Sequence, residues 1–271
     1  MLQPCGNLRK KYPWRLGATS FVVPADLATN VRCLIDLVDD VQLLFFESAA
    51  RARLPHRLDV AGLADLAREG GLTYTVHLPT DIRLGAATAA ERQAGLDEIR
   101  RLVEELAPLD PAGYDLHLLP EPGLAEAAWL ENLDRSLALL AVALGGDACA
   151  RIGIENIDYP YAMVRPLVEK HGFAVCLDVG HLLRYGHDWQ EALARDLPRA
   201  NHVHYHGVRG GKDHGAVVKE QAPVTVRLGE YLAQSGFAGV VTLEMYALDK
   251  LNASLAELAC RWGEYQKELQ P

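Results

Sequence analysis

The chain has 271 residues, 49% of them hydrophobic and 23% charged, with a formal net charge of -9 and a pI near 5.6. An acidic balance excludes the broad basic surface that bulk nucleic-acid binding needs. The five cysteines (Cys5, Cys33, Cys149, Cys176 and Cys260) are odd in number and scattered without a CxxC pair, which argues against a disulfide frame. No run of about 18 apolar residues marks a membrane span. The opening "MLQPCGNLRKKYPWRLG" has basic residues with no apolar run after them, so it does not read as a signal peptide. The expected compartment is the cytoplasm.

Along the chain, short apolar or β-branched runs alternate with amphipathic stretches. The predicted strands are "RLGATS" (15–20), "VQLLFFE" (41–47), "LTYTVHL" (72–78), "YDLHLL" (114–119), "RIGIENI" (151–157), "FAVCLD" (173–178), "NHVHYHG" (201–207) and "VVTLEM" (240–245). Helical patterns lie between them. "DLATNVRCLIDLV" follows Asp26 as N-cap, and "LDVAGLADLARE" stops at Gly70–Gly71. "TAAERQAGLDEIRRLVEELA" begins with a Thr-x-x-Glu capping signature. "EAAWLENLDRSLALLAVAL", "YAMVRPLVEKHG", "DWQEALARDL", "VTVRLGEYLAQSG" and "LNASLAELACRWGEYQKEL" complete the set. Eight strand–helix units in a chain of this length predict a single-domain (β/α)8 TIM barrel over 15–271, after a lead-in over 1–14. A doubly wound sheet is the structural alternative.

In such a barrel the active site lies at the C-terminal strand ends. Seven of the eight predicted ends supply a carboxylate or an imidazole: Glu47, His77, His117, Glu155, Asp178 with His181, the alternating His202, His204 and His206, and Glu244. The first ends in Thr19 and Ser20 instead. Asp213 and His214 follow the seventh strand. A lone histidine in a strand is usually a hydrogen-bonded core or surface residue. Glu155 and Glu244 are harder to dismiss, because a carboxylate within apolar strand sequence needs a partner charge, a polar network or a metal. So many ionisable groups on one rim point to a metal site. Imidazoles and carboxylates without thiolates suit zinc, manganese, iron or cobalt. Cys176 shares the face of Asp178 and reads as lying lower in the barrel rather than as a ligand. The ligands outnumber the needs of one ion, which points to a multi-metal site of the kind used on phosphoesters.

The segments "HLP" (77–79), "LHLLP" (116–120), "IEN" (154–156), "LDVGH" (177–181), "HVHYHG" and "TLEM" resemble the motifs of the xylose-isomerase-like barrel superfamily, over nearly the whole chain. That superfamily includes sugar-phosphate isomerases and epimerases and a class of apurinic-site endonucleases. Within it, residues 15–48 look most like the cobamide-remodelling phosphodiesterases. The resemblance implies a cluster of two or three zinc ions, with manganese the other ion considered. His77, His117 and Glu155 would hold one ion. Glu155 would bridge to a second, completed by Asp178, His204 and Glu244. His181, Asp213 and His214 would hold a third, although the nucleases have Asp-x-His where Asp213 and His214 are adjacent. His206 is read as a ligand or a phosphate contact, and His202 as a supporting residue.

The expected reaction is metal-dependent hydrolysis of a cobamide's nucleotide loop to cobinamide phosphate and an α-riboside. Glu155 and Glu244 would be catalytic, and Glu47 or Glu244 would shuttle a proton. His206, Tyr185 and Tyr246 are the expected substrate contacts, with Trp14, Tyr159, Tyr161 and Trp189 as further aromatics near the mouth. The first rival is a sugar or sugar-phosphate isomerase or epimerase, needing one ion on Glu155, Asp178, His204 and Glu244. An apurinic-site endonuclease is the second; only "RGGK" (209–212) and "RLPHR" (53–57) hint at its basic loops. A binding module without catalysis is the third. The expected partner is a small-molecule substrate, with no bulk nucleic acid and no membrane.

Overall fold

A computed structural model describes residues 8–48 and 58–268. Cys5, the start of the lead-in and the "RLPHR" segment lie outside the described residues. The strands β1 (Arg15–Thr19), β2 (Asp40–Leu44), β3 (Thr73–His77), β4 (Tyr114–Leu116), β5 (Ile152–Glu155), β6 (Ala174–Asp178), β7 (Ala200–Tyr205) and β10 (Val240–Leu243) close into a barrel. Every neighbouring pair in it is parallel, and β10 closes against β1. This is the (β/α)8 architecture expected from the alternation. Between β7 and β10 stands a hairpin that the sequence reading took for a loop: β8 (Gly207–Arg209) pairs antiparallel with β9 (Lys212–Gly215). Its turn is Gly210–Gly211, with φ of 58° and 74°, a region where side chains are strained.

Local chemistry sets the helix starts. α1 (Leu27–Leu34) is capped by Asp26, whose Oδ1 accepts from Thr29 N at 2.7 Å. α2 (Val60–Gly70) is capped by Asp59 and ends on Gly71 in the left-handed region. α3 (Ala89–Leu106) is N-capped by Thr88: Glu91 N donates to Thr88 Oγ1, and the Glu91 carboxylate, in place of reaching back to the Thr88 backbone N–H as in a full capping box, accepts from the Thr88 hydroxyl. α4 (Glu126–Leu144) and the one-turn α5 (Gly146–Cys149) lead to β5. "YAMVRPLVEKHG" splits into a 3-10 turn (Tyr161–Met163) and α6 (Arg165–Lys170), because Pro166 fits only the first turn of a helix. α7 (Val179–Tyr185), α8 (Trp189–Asp196), α9 (Ala222–Gln234) and α10 (Leu248–Glu268) complete the ring.

Side chains alternate across each strand. One set, including Leu43, Val76, Ile154, Leu177, Val203 and Leu243, is buried with helix residues in an apolar shell. The other set fills the barrel interior and is largely polar. Asp40 accepts from Thr73 and Thr75, and Gln42 and His202 meet Asp115. An aromatic plug of Tyr12, Trp14 and Trp262 packs beside Tyr205 and Val241 on the outer face of the barrel and against α9 and α10. Trp14 stacks on Tyr12 at 5.3 Å and meets the edge of Trp262 at 5.0 Å. Trp14 lies at the opposite end from the strand C-termini, and the expectation that it lines the mouth is corrected: it precedes β1 and has apolar partners only there. No described helix is long and apolar enough to cross a membrane.

Candidate metal centre

The site is assembled from the C-terminal ends of six strands. Glu155, at the end of β5, is fully buried and central to it. Its Oε2 lies 3.0 Å from His117 Nε2 and 3.5 Å from His77 Nε2. Its Oε1 lies 3.3 Å from His181 Nδ1 and 3.4 Å from His204 Nδ1. His77 ends β3, and His117 follows β4 by one residue. Glu244 follows β10; its Oε2 is 3.7 Å from His204 Nδ1 and its Oε1 accepts from the Tyr246 hydroxyl at 3.1 Å. Asp178 ends β6 and also caps α7, its Oδ1 accepting from His181 N at 2.8 Å.

Among the described residues ligand atoms converge in five groups, the atoms within each lying within 4.8 Å of one another; three are built of imidazoles and carboxylates at the strand ends: His77, His117 and Glu155; Glu155, Asp178, His204 and Glu244; and His181, His206 and His214; the other two, Asp115 with Cys176 and His202, and Glu155 with Cys176 and His204, include the buried Cys176. The first two are the groups expected. In the third, His206 stands where Asp213 was expected, and this corrects the sequence reading. Asp213 is turned to the Arg184 guanidinium, while Gly180 opens space for the His206 ring: a Cβ there would lie 2.2 Å from His206 Cε1. His206 Nδ1 accepts the His214 backbone N–H at 3.1 Å, which aims its Nε2 at Asp178 Oδ1, 3.3 Å away. His214 has a φ of 49°, which brings its ring back over the strand ends. This conformation follows from the hairpin and has no signal in the residue types.

The donor set fits a divalent metal. Glu155 Oε1, Asp178 Oδ2, His204 Nδ1, His206 Nε2 and Glu244 Oε2 are all buried without a hydrogen-bond partner. Buried polar atoms are rarely left so, and four of these five, all but His206 Nε2, belong to the residues of one ligand group, which suits a cation. Three imidazoles face backbone carbonyls through Nδ1: His77, His181 and His214 meet the carbonyls of Leu78, Asn156 and Glu244 at 2.8, 3.1 and 3.2 Å, and a proton on Nδ1 there would leave Nε2 for an ion.

The charges are interlocked. Burial alone would raise the Glu155 carboxyl, but His117 and then His204 beside it hold it well below the usual range. Burial likewise opposes ionisation of Asp178, and His181 and His206 outweigh it and lower its pKa. Burial would lower His181, yet Asp178 and then Glu155 carry it up to about 10. His214 is lowered chiefly by burial, which favours the neutral, ligating form.

Several expected participants stand elsewhere. Glu47 is exposed on the loop after β2, next to Phe46, whose ring meets Tyr246. Tyr159 is buried against Trp129 with its hydroxyl on Leu118 O, and Tyr161 packs beneath Arg165. Trp189 packs against the apolar shell. Tyr185 and Tyr246 remain at the mouth, 6.2 Å from His181 and 4.8 Å from His214 by ring centroids. Tyr246 is joined to Phe46, and Phe46 to Phe21, in an edge-on aromatic row. His202 lies deeper than His204 and pairs with Asp115, a supporting place as expected. Asp115 and Gln42 are site residues the sequence reading missed. Their signal was alternation: Asp115 stands two before His117, and Gln42 two before the end of β2.

The chain is similar to several solved structures. A D-tagatose 3-epimerase-like protein matches at TM-score 0.79 and 17% identity, over 94% of this chain and 99% of that one. The D-psicose 3-epimerase of Clostridium cellulolyticum H10 matches at TM-score 0.72 and 14% identity, over 95% and 100%. A family 2 AP endonuclease from Brucella melitensis matches at TM-score 0.69 and 18% identity, over 91% and 98%. At these identities the likeness is one of fold. No curated protein matches the chain by sequence. The family model for the xylose isomerase-like TIM barrel does match, over residues 38–264, a stretch that runs from just before β2 into α10 and takes in every candidate ligand described above. The chain belongs to the xylose isomerase-like TIM barrel family.

Proposed function

We propose that the chain is a metal-dependent phosphodiesterase acting on a small molecule, with a cobamide nucleotide loop as its substrate. The observation that carries the hydrolase reading is the sharing of Glu155 between two ligand groups, with a third group of imidazoles alongside. A single-ion reaction leaves His77 and His117 without a ligand role. Adjacent ions suit in-line displacement at phosphorus, because they polarise the phosphoryl oxygens and make a water molecule nucleophilic at neutral pH. His77, His117, Glu155, Asp178, His204 and Glu244 would hold two ions, and His181, His206 and His214 a third. Water adds at phosphorus, the P–O bond to the departing sugar breaks, and that sugar's oxygen gains a proton. Glu244, one of the ligands, is also the residue we assign to take the water's proton, on Oε1, where the Tyr246 hydroxyl meets it. The choice of a cobamide rests on the resemblance of residues 15–48.

A second reading is a sugar isomerase or epimerase, and the comparisons speak more for it than for the first. Several of the solved structures similar in fold are sugar epimerases. The group of Glu155, Asp178, His204 and Glu244 also holds two glutamates, both facing His204 Nδ1 at 3.4 and 3.7 Å, and a pair of carboxylates suits moving a proton between substrate carbons. Mass spectrometry of a cobamide and of a ketohexose, each incubated with metal-replete protein, separates the two. Cobinamide phosphate plus a riboside, lost in Glu155→Ala, is the expected result. An intact cobamide with an epimerised ketose would replace the first reading with the second.

A further inference from the structure

Among the described residues five large hydrophobic side chains are exposed, and three of them are aromatic: Phe21, Phe46 and Tyr185. Phe21 and Phe46 are each 40% exposed, yet they stand together. Phe21 follows β1, Phe46 follows β2 and Tyr246 follows β10. Those three strands are consecutive in the barrel, so their loops lie side by side over the strand C-termini. The rings of Phe21 and Phe46 meet at 5.0 Å and 83°, and those of Phe46 and Tyr246 at 5.8 Å and 65°. Tyr246 in turn lies 4.8 Å from the His214 ring, and its hydroxyl donates to Glu244 Oε1 at 3.1 Å. The row starts at the candidate ligands and ends in solvent.

Both loops are fixed beneath their rings. Asn30 on α1 is fully buried, and its Oδ1 accepts the backbone N–H groups of Val22 and Val23 at 2.8 and 3.0 Å. The backbone N–H and the hydroxyl of Thr80 both donate to Phe46 O, at 3.0 and 2.6 Å. Asp81 accepts the N–H and the hydroxyl of Ser48 at 2.9 and 2.7 Å. Rings on fixed backbones lose little freedom when a ligand covers them, and exposed apolar area gains from being covered. The pair also has a shape. A flat group stacked on one phenyl ring meets the other nearly edge-on, and these are the two arrangements that aromatic rings favour. A sugar has no ring face of this kind.

We propose that Phe21 and Phe46 form a subsite for a flat heteroaromatic group that the substrate carries beyond the bond held at the metal centre. The inference rests on the phosphodiesterase reading, in which a base-bearing riboside stands on one side of the phosphorus, and it names the two side chains that select for that base. Tyr246 joins the subsite to Glu244. A ketohexose has no part for the two phenyl rings.

The test reads binding rather than turnover, so it stands apart from whether a cobamide is cleaved. The full metal-replete chain is titrated calorimetrically with a benzimidazole riboside and with D-ribose. The wild type is expected to bind the riboside more tightly. Phe21→Ala and Phe46→Ala are each expected to weaken it by roughly 5- to 150-fold, the range for a base stacked on one aromatic side chain, with the ion count unchanged. Phe46→Tyr, which keeps the ring, is expected to bind as the wild type does. Leu139→Ala is the control, an exposed apolar side chain on α4, and should change nothing. A wild type that binds the riboside no better than ribose, or native riboside affinity in either alanine variant, overturns the inference. So does a parallel fall in ion count, which would mean that the metal centre and not the rings had been disturbed. An intact cobamide beside a riboside held by both rings sinks the phosphodiesterase reading and leaves the subsite standing. Cleavage of a cobamide with native riboside affinity in the variants sinks the subsite alone.

Discussion

Replacing Glu155 with glutamine is the most informative single change. The amide keeps the side chain's volume, so the fully buried position gains no cavity. What it loses is one negative charge and a shared ligand: one oxygen faces His117 and His77, the other His181 and His204. Two ligand groups therefore fail together, and of the three at the strand ends only that of His181, His206 and His214 keeps its full complement. Elemental analysis should find two or three ions per wild-type chain and at most one in Glu155→Gln. The stability of the loaded protein should follow. An ion at a hundred times its dissociation constant stabilises the folded state by about 2.7 kcal/mol. At about 2–4 °C per kcal/mol for a domain near this size, each ion lost lowers the metal-induced rise in Tm by roughly 5–11 °C. Differential scanning with and without zinc reads this directly. A variant that keeps the wild-type ion count and the wild-type rise in Tm would refute the assignment of Glu155 as a shared ligand.

Gly180→Ala should drive the His206 ring out of place, because the new Cβ would lie 2.2 Å from it; the expected result is one ion fewer at a stability cost of about 1–3 kcal/mol, read by elemental analysis and urea melts. Trp14→Ala should cost about 3–5 kcal/mol by removing the centre of the aromatic plug, with the ion count unchanged. An altered ion count in that variant would mean that the two barrel ends are coupled. Tyr246→Phe removes the hydroxyl that holds Glu244 Oε1; turnover should fall while the metal content stays constant, and an unchanged rate would take Tyr246 and Glu244 out of the proton path. Chelation should abolish turnover with either candidate substrate, and added zinc or manganese should restore it.

The barrel was legible because its local rules agree. Asp26, Thr88 and Gly71 cap helices where the periodicity begins or ends. The short apolar runs between those helices have few places to go except a parallel sheet. His77, His117, Glu155, Asp178, His204 and Glu244 were legible as candidates because they stand at the C-terminal strand ends, while their division into two ligand groups is what the family resemblance implied. The third group was not legible, since it depends on two backbone facts that residue types do not announce: the hairpin turning at Gly210–Gly211, and the missing Cβ at Gly180. Asp115 and Gln42 were missed for a different reason. Attention to strand ends passed over polar residues lower on the same inward face, where alternation was already placing them in the interior.

The two faces of the strands divide the labour of the protein. Val203 and Tyr205 are sealed in the apolar shell, while their neighbours His202, His204 and His206 serve the interior. A substitution on the shell face would tax folding and leave the chemistry untouched. One on the inner face would change the chemistry while the shell went on holding the barrel closed. Such a chain can explore new reactions by drifting through inner-face residues, with no need to rebuild the scaffold that carries them.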